Sequence, residues 1–230
     1  MFMSTTSSEQ DARQSLEEAR VFITVYAGAL HLAKKLLQSA EATGNDTRKF
    51  IIVGTDGTMI PGFRNDPLDL PQGNPISANR AFMHVAKMCY DNKDNFIFFD
   101  ADVTFLRDNV VGRITEDLLN KGGTVLGQPM WTRNELIHGW CFNGNAAYKW
   151  DAWEKFNLEE EPIPDDYPFD LWLSKKFFQT QCAPTGLYHN TLPVENITDL
   201  DWIPEYSAIH HPCKDGSVAD CVIKKHLAHA

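Results

Sequence analysis

The segment FIFFDADVTFLRD, residues 96–108, places two carboxylates directly after four apolar residues. An uninterrupted apolar run of this kind predicts a buried β-strand, with Asp100 and Asp102 at its carboxyl end. Ligands bind at the carboxyl ends of the strands in open α/β sheets. Residues two apart on a strand point to the same side, roughly 6–7 Å from each other. The segment therefore predicts an α/β sheet that presents a pair of acids at a ligand-binding edge.

Two carboxylates held this close repel each other unless a cation lies between them. Mg²⁺ and Mn²⁺ take oxygen ligands and keep coordination positions open for phosphate oxygens. We therefore expect Asp100 and Asp102 to hold Mn²⁺ or Mg²⁺ and, through it, a phosphate-bearing ligand. The alternative is a structural role, in which both acids accept hydrogen bonds from loop amides where the strand ends.

Apolar segments on either side of this motif complete an α/β pattern. Residues 21–26 and 50–54 are predicted to be strands, and the helix between them has one apolar face. A βαβ unit of this kind is typical of a parallel sheet. The other expected elements are a loop over 61–75, a helix over 77–90 and a strand over 124–126.

We predict one α/β domain over residues 20–230, with a mixed, mainly parallel sheet between helices, after a polar arm over residues 1–19. The composition, 43% hydrophobic and 23% charged in 230 residues, excludes a disordered or collagen-like chain. The formal charge of −10 argues against nucleic acid as a partner.

Three further observations concern the compartment. No apolar window approaches the roughly 18 residues that a membrane span needs. The N-terminal residues have no basic and apolar regions of a secretory signal. The five cysteines are scattered and form no CxxC pair, which predicts buried thiols in a reducing compartment. We therefore expect a cytoplasmic protein without a membrane span.

Two enzyme families share an apolar strand that ends in Asp-x-Asp. Residues 96–103 resemble both the GT-A glycosyltransferases and the haloacid-dehalogenase-type phosphatases. In the phosphatases the motif usually lies on the first strand, whereas two βα units precede it here, as in GT-A proteins. The phosphatase alternative makes Asp100 the nucleophile and Asp102 the general acid. A third hypothesis is a non-catalytic, sugar-binding relative.

Other segments resemble the glycogenin-like GT-A enzymes in the same order along the chain. They are ITVYAGALHLAKKLL (23–37), CFNGNAAYK (141–149) and SAIHHPCKDGS (207–217), although the last lacks the His-x-x-Gly form. The length also resembles small soluble transferases of large algal viruses, so a virus-encoded enzyme acting in host cytoplasm is one interpretation. The resemblance implies metal-dependent transfer of a hexosyl or pentosyl group from a nucleotide-sugar, with UDP expected, to a sugar or glycan hydroxyl. It leaves a retaining or inverting outcome open.

Four residues are candidates for binding the nucleotide. Thr24 and Tyr26 end the first strand on one face, and Tyr26 either stacks on the nucleobase or is a rim aromatic. Asp56 follows the second strand and either accepts the N3 hydrogen of uracil or belongs to a bare turn. The resemblance implies that Arg80 reaches the diphosphate or the Asp cluster, the alternative being a surface arginine.

Late in the chain, His210 and His211 are adjacent, so on a strand they face opposite ways and at most one is a metal ligand. His211 is the first choice. Lys214 is expected to offset the charge of the leaving diphosphate. Gly216 and Ser217 favour a mobile loop that closes over the donor.

The resemblance also implies an acidic residue at the start of a helix under the acceptor, where its carboxylate would act as the catalytic base. Asp170 is the first choice for this base, with Asp165 and Asp166 as runners-up; helix N-terminal acids without a catalytic role are the alternative. His138 and Trp140 are candidates for contact with sugar, although tryptophan is also ordinary core material.

Overall fold

The computed structural model describes residues 19–133 and 138–228, so the predicted arm lies, but for its last residue, outside the described residues. The described helices are α1 (Leu30–Ala42), α2 (Ile76–Asn92), α3 (Val110–Asn120), α4 (Ala152–Lys155), α5 (Phe169–Gln181) and α6 (Ser217–Leu227). The first described strands are β1 (Arg20–Val25), β2 (Phe50–Gly54), β3 (Arg64–Pro67), β4 (Phe96–Asp100), β5 (Thr104–Phe105) and β6 (Val125–Gly127). The others are β7 (Pro129–Arg133), β8 (His138–Phe142), β9 (Ala146–Tyr148), β10 (Cys182–Pro184), β11 (Tyr188–Val194) and β12 (Ile209–Cys213).

The main sheet has seven strands in the order β10-β6-β9-β4-β1-β2-β3. Of these, β9 runs antiparallel to its two neighbours, and every other pairing is parallel. The register places Thr24 of β1 beside Asp100 of β4, so the carboxyl ends of these two strands meet at one edge. The predicted mixed, mainly parallel sheet is confirmed.

The central strands are apolar on both faces because each face is covered by helices. Ile23 and Phe99 lie in a core that includes the apolar face of α1, whereas Phe22 and Phe98 lie in a second core with α2 and α5. Phe82 of α2 is fully buried in this second core. Burial of such a side chain contributes about 1.5–3 kcal/mol. The two cores fix β4, and therefore the position of its last residue.

Three parts of the chain differ from the sequence prediction. The expected loop over 61–75 contains β3, a polar edge strand paired in parallel with β2. The apolar run of β4 ends at Asp100, and Ala101 and Asp102 form a turn instead of continuing the strand. Two small sheets, β7-β8 and β11-β12-β5, lie outside the main sheet.

All five cysteines are free, and three of them are buried, in keeping with the predicted thiols. Among the described residues, the helices are too short or too polar to cross a bilayer.

Candidate active site

The Asp-x-Asp acids and one histidine meet at the carboxyl end of β4. β5 follows the turn after β4 and pairs antiparallel with β12, which brings His211 back to Asp102. One ligand atom from each of Asp100, Asp102 and His211 lies within 4.8 Å of the other two. Two carboxylates and an imidazole form a donor set that suits a divalent cation.

Asp102 lies at the centre of this group and is almost completely buried. Its Oδ2 forms an ion pair with Lys214 Nζ at 2.5 Å. Its Oδ1 lies 3.1 Å from His211 Nε2, yet this buried oxygen has no hydrogen-bond partner among the described residues. A buried carboxylate oxygen without a partner is costly. A cation between Asp102 Oδ1 and His211 Nε2 would satisfy this oxygen.

Charge around the two acids separates their pKa values. Burial alone would raise the pKa of Asp102, but His211 and Lys214 outweigh it and hold that pKa at about 2. Desolvation and the negative charge of Asp102 together raise the pKa of Asp100, against opposing contributions from His211, Thr24 and Lys214. Asp102 is therefore the permanently ionised member of the pair.

Asp100 is held in place from two sides. Thr24 donates its hydroxyl hydrogen to Asp100 Oδ1 at 3.0 Å. On the other side, Asn145 Oδ1 accepts from the Asp100 backbone N–H at 2.6 Å, and Asn145 Nδ2 lies 3.4 Å from Asp100 Oδ2. Thr24, a predicted nucleotide ligand, thus orients a metal candidate directly.

His210 does not join this group. It is fully buried on the opposite face of β12, with its Nδ1 3.3 Å from His189 Nδ1 and its ring 5.1 Å from that of Trp202. Burial, reinforced by the two neighbouring histidines, lowers the pKa of His210 to about 4. His210 is therefore a neutral core residue, and the candidacy for a metal ligand stays with His211.

The loop that carries Lys214 is braced at several points. Asp215 accepts hydrogen bonds from the backbone N–H groups of Asn196 at 2.7 Å and Ser217 at 3.0 Å. Lys35 of α1 bonds the Asp215 carbonyl at 3.3 Å and pairs with Asp220. These contacts hold the backbone next to Lys214 in the conformation observed, and the predicted mobility of the loop stays a prediction.

A cavity of about 650 Å³ opens beside the acids. Its walls include Thr24, Tyr26, Asp100, Asp102 and Lys214. The structure therefore brings together five of the predicted site residues around one space. Tyr26, one of these lining residues, is 55% exposed. Pockets for small molecules commonly have volumes of about 300–1,000 Å³.

Asp56 and Arg80 lie outside the cavity wall and have other partners. Asp56 accepts from the backbone N–H of Ala27 at 2.9 Å and from the hydroxyl and N–H of Thr58. Arg80 forms a two-bond ion pair with Asp165. Asp56 thus supports the turn next to Tyr26, and Arg80 is directed to Asp165, a runner-up for the catalytic base.

Asp170 lies at the start of α5, close to the acids. Its Oδ2 accepts from the backbone N–H of Gly144 at 3.2 Å, and the next residue, Asn145, contacts Asp100. Desolvation, together with the charge of Asp100, raises the pKa of Asp170 to about 6 against the opposing backbone N–H groups. Asp166, the other runner-up, is exposed.

Sequence reasoning missed two residues that organise the site. Asn145 belongs to the CFNGN segment, and its position directly before the short apolar strand β9 is the signal in the sequence that could have found it. Asp215 had no signal of its own, because its partners come from a segment that is distant in sequence. His138 and Trp140 lie on the β7-β8 hairpin and are exposed.

Comparisons by sequence give no relatives: no protein-family model and no curated protein matches. Comparison with solved structures finds proteins of similar fold. An active-site mutant of LgtC matches with a TM-score of 0.57 and 12% identity, over 91% of this chain and 95% of LgtC. The galactosyltransferase LgtC in complex with donor and acceptor sugar analogs matches with a TM-score of 0.55 and 13% identity, over the same shares. The chain has the GT-A fold.

Two other glycosyltransferases also match. The one involved in glycosylation of the major capsid of PBCV-1 has a TM-score of 0.48 and 13% identity, over 90% of this chain and 99% of its own. GlyE of Streptococcus pneumoniae TIGR4 has a TM-score of 0.47 and 12% identity, over 74% of this chain. The chain spans 45% of the GlyE chain.

In this GT-A fold the Asp-x-Asp pair begins at the last residue of β4, after two βα units. The haloacid-dehalogenase alternative expects the motif on the first strand of its domain. The observed order therefore favours the transferase architecture over the phosphatase.

Proposed function

We propose that this protein is a metal-dependent glycosyltransferase that moves a hexosyl or pentosyl group from a nucleotide-sugar, with UDP as the nucleotide, to a glycan or sugar hydroxyl. One observation carries the proposal: Asp102 Oδ1 lies 3.1 Å from His211 Nε2 beside Asp100, at a cavity of about 650 Å³. LgtC, which shares the fold, is known in complex with donor and acceptor sugar analogs.

In this proposal Asp100, Asp102 and His211 hold Mn²⁺ or Mg²⁺. When bound, the cation supplies positive charge that offsets the charge developing on the diphosphate leaving group. Lys214 adds a second cation at the same place, because its ammonium already lies against Asp102. Local cations matter here because the whole chain carries a formal charge of −10, which repels a diphosphate.

The donor's nucleoside is assigned to the part of the cavity lined by Tyr26. An exposed aromatic ring on a cavity wall suits stacking against a nucleobase. Asp56 supports this arrangement indirectly, since it fixes the backbone of Ala27 next to Tyr26. Arg80 would reach a diphosphate only by leaving Asp165, so the proposal does not depend on it.

Asp170 is proposed as the base of an inverting reaction. A pKa of about 6 leaves it ionised at neutral pH and still basic enough to accept a proton from an acceptor hydroxyl. If the reaction retains configuration, this base is unnecessary, and Asp170 then orients substrate. The link through Gly144 and Asn145 places it next to Asp100 in either case.

A thermal-shift panel of nucleotides and nucleotide-sugars, with Mn²⁺ or with EDTA, tests the proposal, followed by detection of released UDP. We expect UDP and UDP-sugars to stabilise the protein with Mn²⁺ and far less with EDTA. Release of phosphate from a generic phosphomonoester would contradict the proposal and favour the phosphatase. Nucleotide binding with no turnover of any donor would favour a non-catalytic sugar-binding protein.

A further inference from the structure

Two tryptophans lie largely exposed on the β7-β8 hairpin. Trp131 and Trp140 are cross-strand partners, and 58% and 53% of their surfaces are open to solvent. Their ring centroids are 5.6 Å apart and their planes cross at 81°, which makes an open aromatic corner. Folding normally buries most of a tryptophan. Two exposed side by side indicate a surface that binds something.

Polar groups border this aromatic corner. The His138 ring lies 5.7 Å from the Trp131 ring, and Arg133, the cross-strand partner of His138, is also exposed. The two indole rings lie nearly at right angles, and hydrogen-bond donors border them. This arrangement suits a ligand with C–H groups on its faces and hydroxyl groups at its edges. A sugar ring has this chemistry, whereas a lipid surface or an apolar protein face is better matched by flat apolar area.

The hairpin is continuous with the candidate active site. β7 begins just after β6 ends at Gly127. Since β6 and β4 both run antiparallel to β9, their carboxyl ends lie at the same end of the main sheet. β8 leads into Asn145, which contacts Asp100. Asn145 follows Trp140 by five positions, which is at most about 17 Å of extended chain. The aromatic corner therefore lies near the candidate active site, and neither tryptophan lines the cavity beside the acids.

We propose that Trp131 and Trp140 bind a sugar ring of the acceptor, away from the hydroxyl that receives the new sugar. His138 and Arg133 donate hydrogen bonds to the hydroxyls of that ring. The acceptor is then an oligosaccharide or glycan chain and not a single sugar. The role of this sugar as acceptor rests on the proposed transferase function, whereas sugar binding by the aromatic corner is testable without turnover.

The test measures binding of the labelled protein to an array of defined oligosaccharides, with and without UDP and Mn²⁺. We expect the wild type to bind a subset of them. The double variant Trp131→Ala/Trp140→Ala should bind these at least about tenfold more weakly, as for loss of an aromatic anchor. Trp140→Phe should keep most of the binding, because an aromatic face remains. Tyr206→Ala, another exposed aromatic, serves as the control and should bind like the wild type.

The proposal is overturned if the wild type binds no oligosaccharide, or if the double variant binds as well as the wild type. The proposal is also overturned if the wild type forms a dimer on gel filtration, or binds phosphatidylcholine vesicles, and the double variant does not. These results would indicate a contact with protein or with membrane. Stabilisation by UDP and Mn²⁺ should be equal in all variants. If UDP and Mn²⁺ stabilise none of the proteins, wild type included, the proposed function is contradicted. The array result alone then decides whether the aromatic corner binds sugar.

Discussion

Asp102 Oδ1 and His211 Nε2 lie 3.1 Å apart in a buried setting, but the oxygen accepts no hydrogen bond from the described residues. The two side chains reach this position from different sheets, Asp102 from the turn after β4 and His211 from β12. A divalent cation bound by both side chains would stabilise this close approach.

Replacing Asp102 with Asn should remove most of the extra stabilisation that UDP gains from Mn²⁺. The substitution removes the negative charge that a cation and Lys214 both contact, and leaves the two hydrophobic cores untouched. Asp108→Asn is a matched control, since Asp108 is exposed and pairs only with Arg113 among the described ion pairs. Differential scanning fluorimetry with Mn²⁺ or EDTA measures the effect. Sugar transfer by Asp102→Asn at the wild-type rate would show that the motif is structural.

The two adjacent histidines should behave differently. His211→Ala is expected to weaken Mn²⁺ binding by at least about tenfold, since even outer partners of metal ligands have effects of that size. His210→Ala should keep Mn²⁺ affinity but lower the free energy of unfolding by about 1–3 kcal/mol, because it removes a fully buried ring. Isothermal titration and urea unfolding measure the two quantities. Equal loss of Mn²⁺ binding in both variants would contradict the assignment.

Lys214→Ala should slow turnover more than it weakens binding of UDP. The ammonium is proposed to act on charge that grows as the diphosphate departs, and removing one such group costs on the order of 3 kcal/mol, or about a hundredfold in rate. Lys224→Ala, near the end of the exposed side of α6, is the control. Steady-state kinetics should show the loss in kcat. A change confined to KM would show that Lys214 serves only in ground-state binding.

The sequence predicted the parts of the fold that depend on continuous burial. β1, β2 and β4 are apolar runs covered on both faces, and their periodicity was sufficient to find them. β3 was missed because its polar residues lie at the sheet edge, where burial imposes little pattern. Asp100 and Asp102 were identified because they follow such a run directly.

Partners brought by tertiary pairing were harder to predict. His211 could not be separated from His210 until the register of β12 with β11 placed His210 opposite His189. The sequence gives no partner for Asp56 or Arg80. In the fold, Asp56 accepts a hydrogen bond from Ala27 and Arg80 forms an ion pair with Asp165. Such contacts depend on chain segments that meet only in three dimensions.

Asp170 should make the stability of the protein depend on pH in a defined direction. Its pKa is raised from 3.8 to about 6 in the folded state, so its favourable contribution is complete below about pH 4 and is lost as the pH rises through 6. Asp170→Asn should therefore unfold at higher urea concentration than the wild type at pH 7.5. The gain is up to about 3 kcal/mol from the size of the shift.

The same comparison at pH 4 is the control, where the advantage of Asp170→Asn should largely disappear. Parallel stability curves for the two proteins between pH 4 and pH 7.5 would show that Asp170 titrates normally. If Asp170 is the catalytic base, the wild-type rate also falls below about pH 6 and Asp170→Asn loses activity despite its greater stability.

The most direct test of the metal site is a crystal structure with UDP and Mn²⁺, with data collected for the anomalous signal of manganese. The account predicts one strong anomalous peak within about 2.5 Å of Asp102 and the His211 imidazole, a distance in the range of metal–ligand bonds. Asp100 should complete the protein ligands. An ion bound elsewhere, or UDP bound with no anomalous peak at these three residues, would contradict the account.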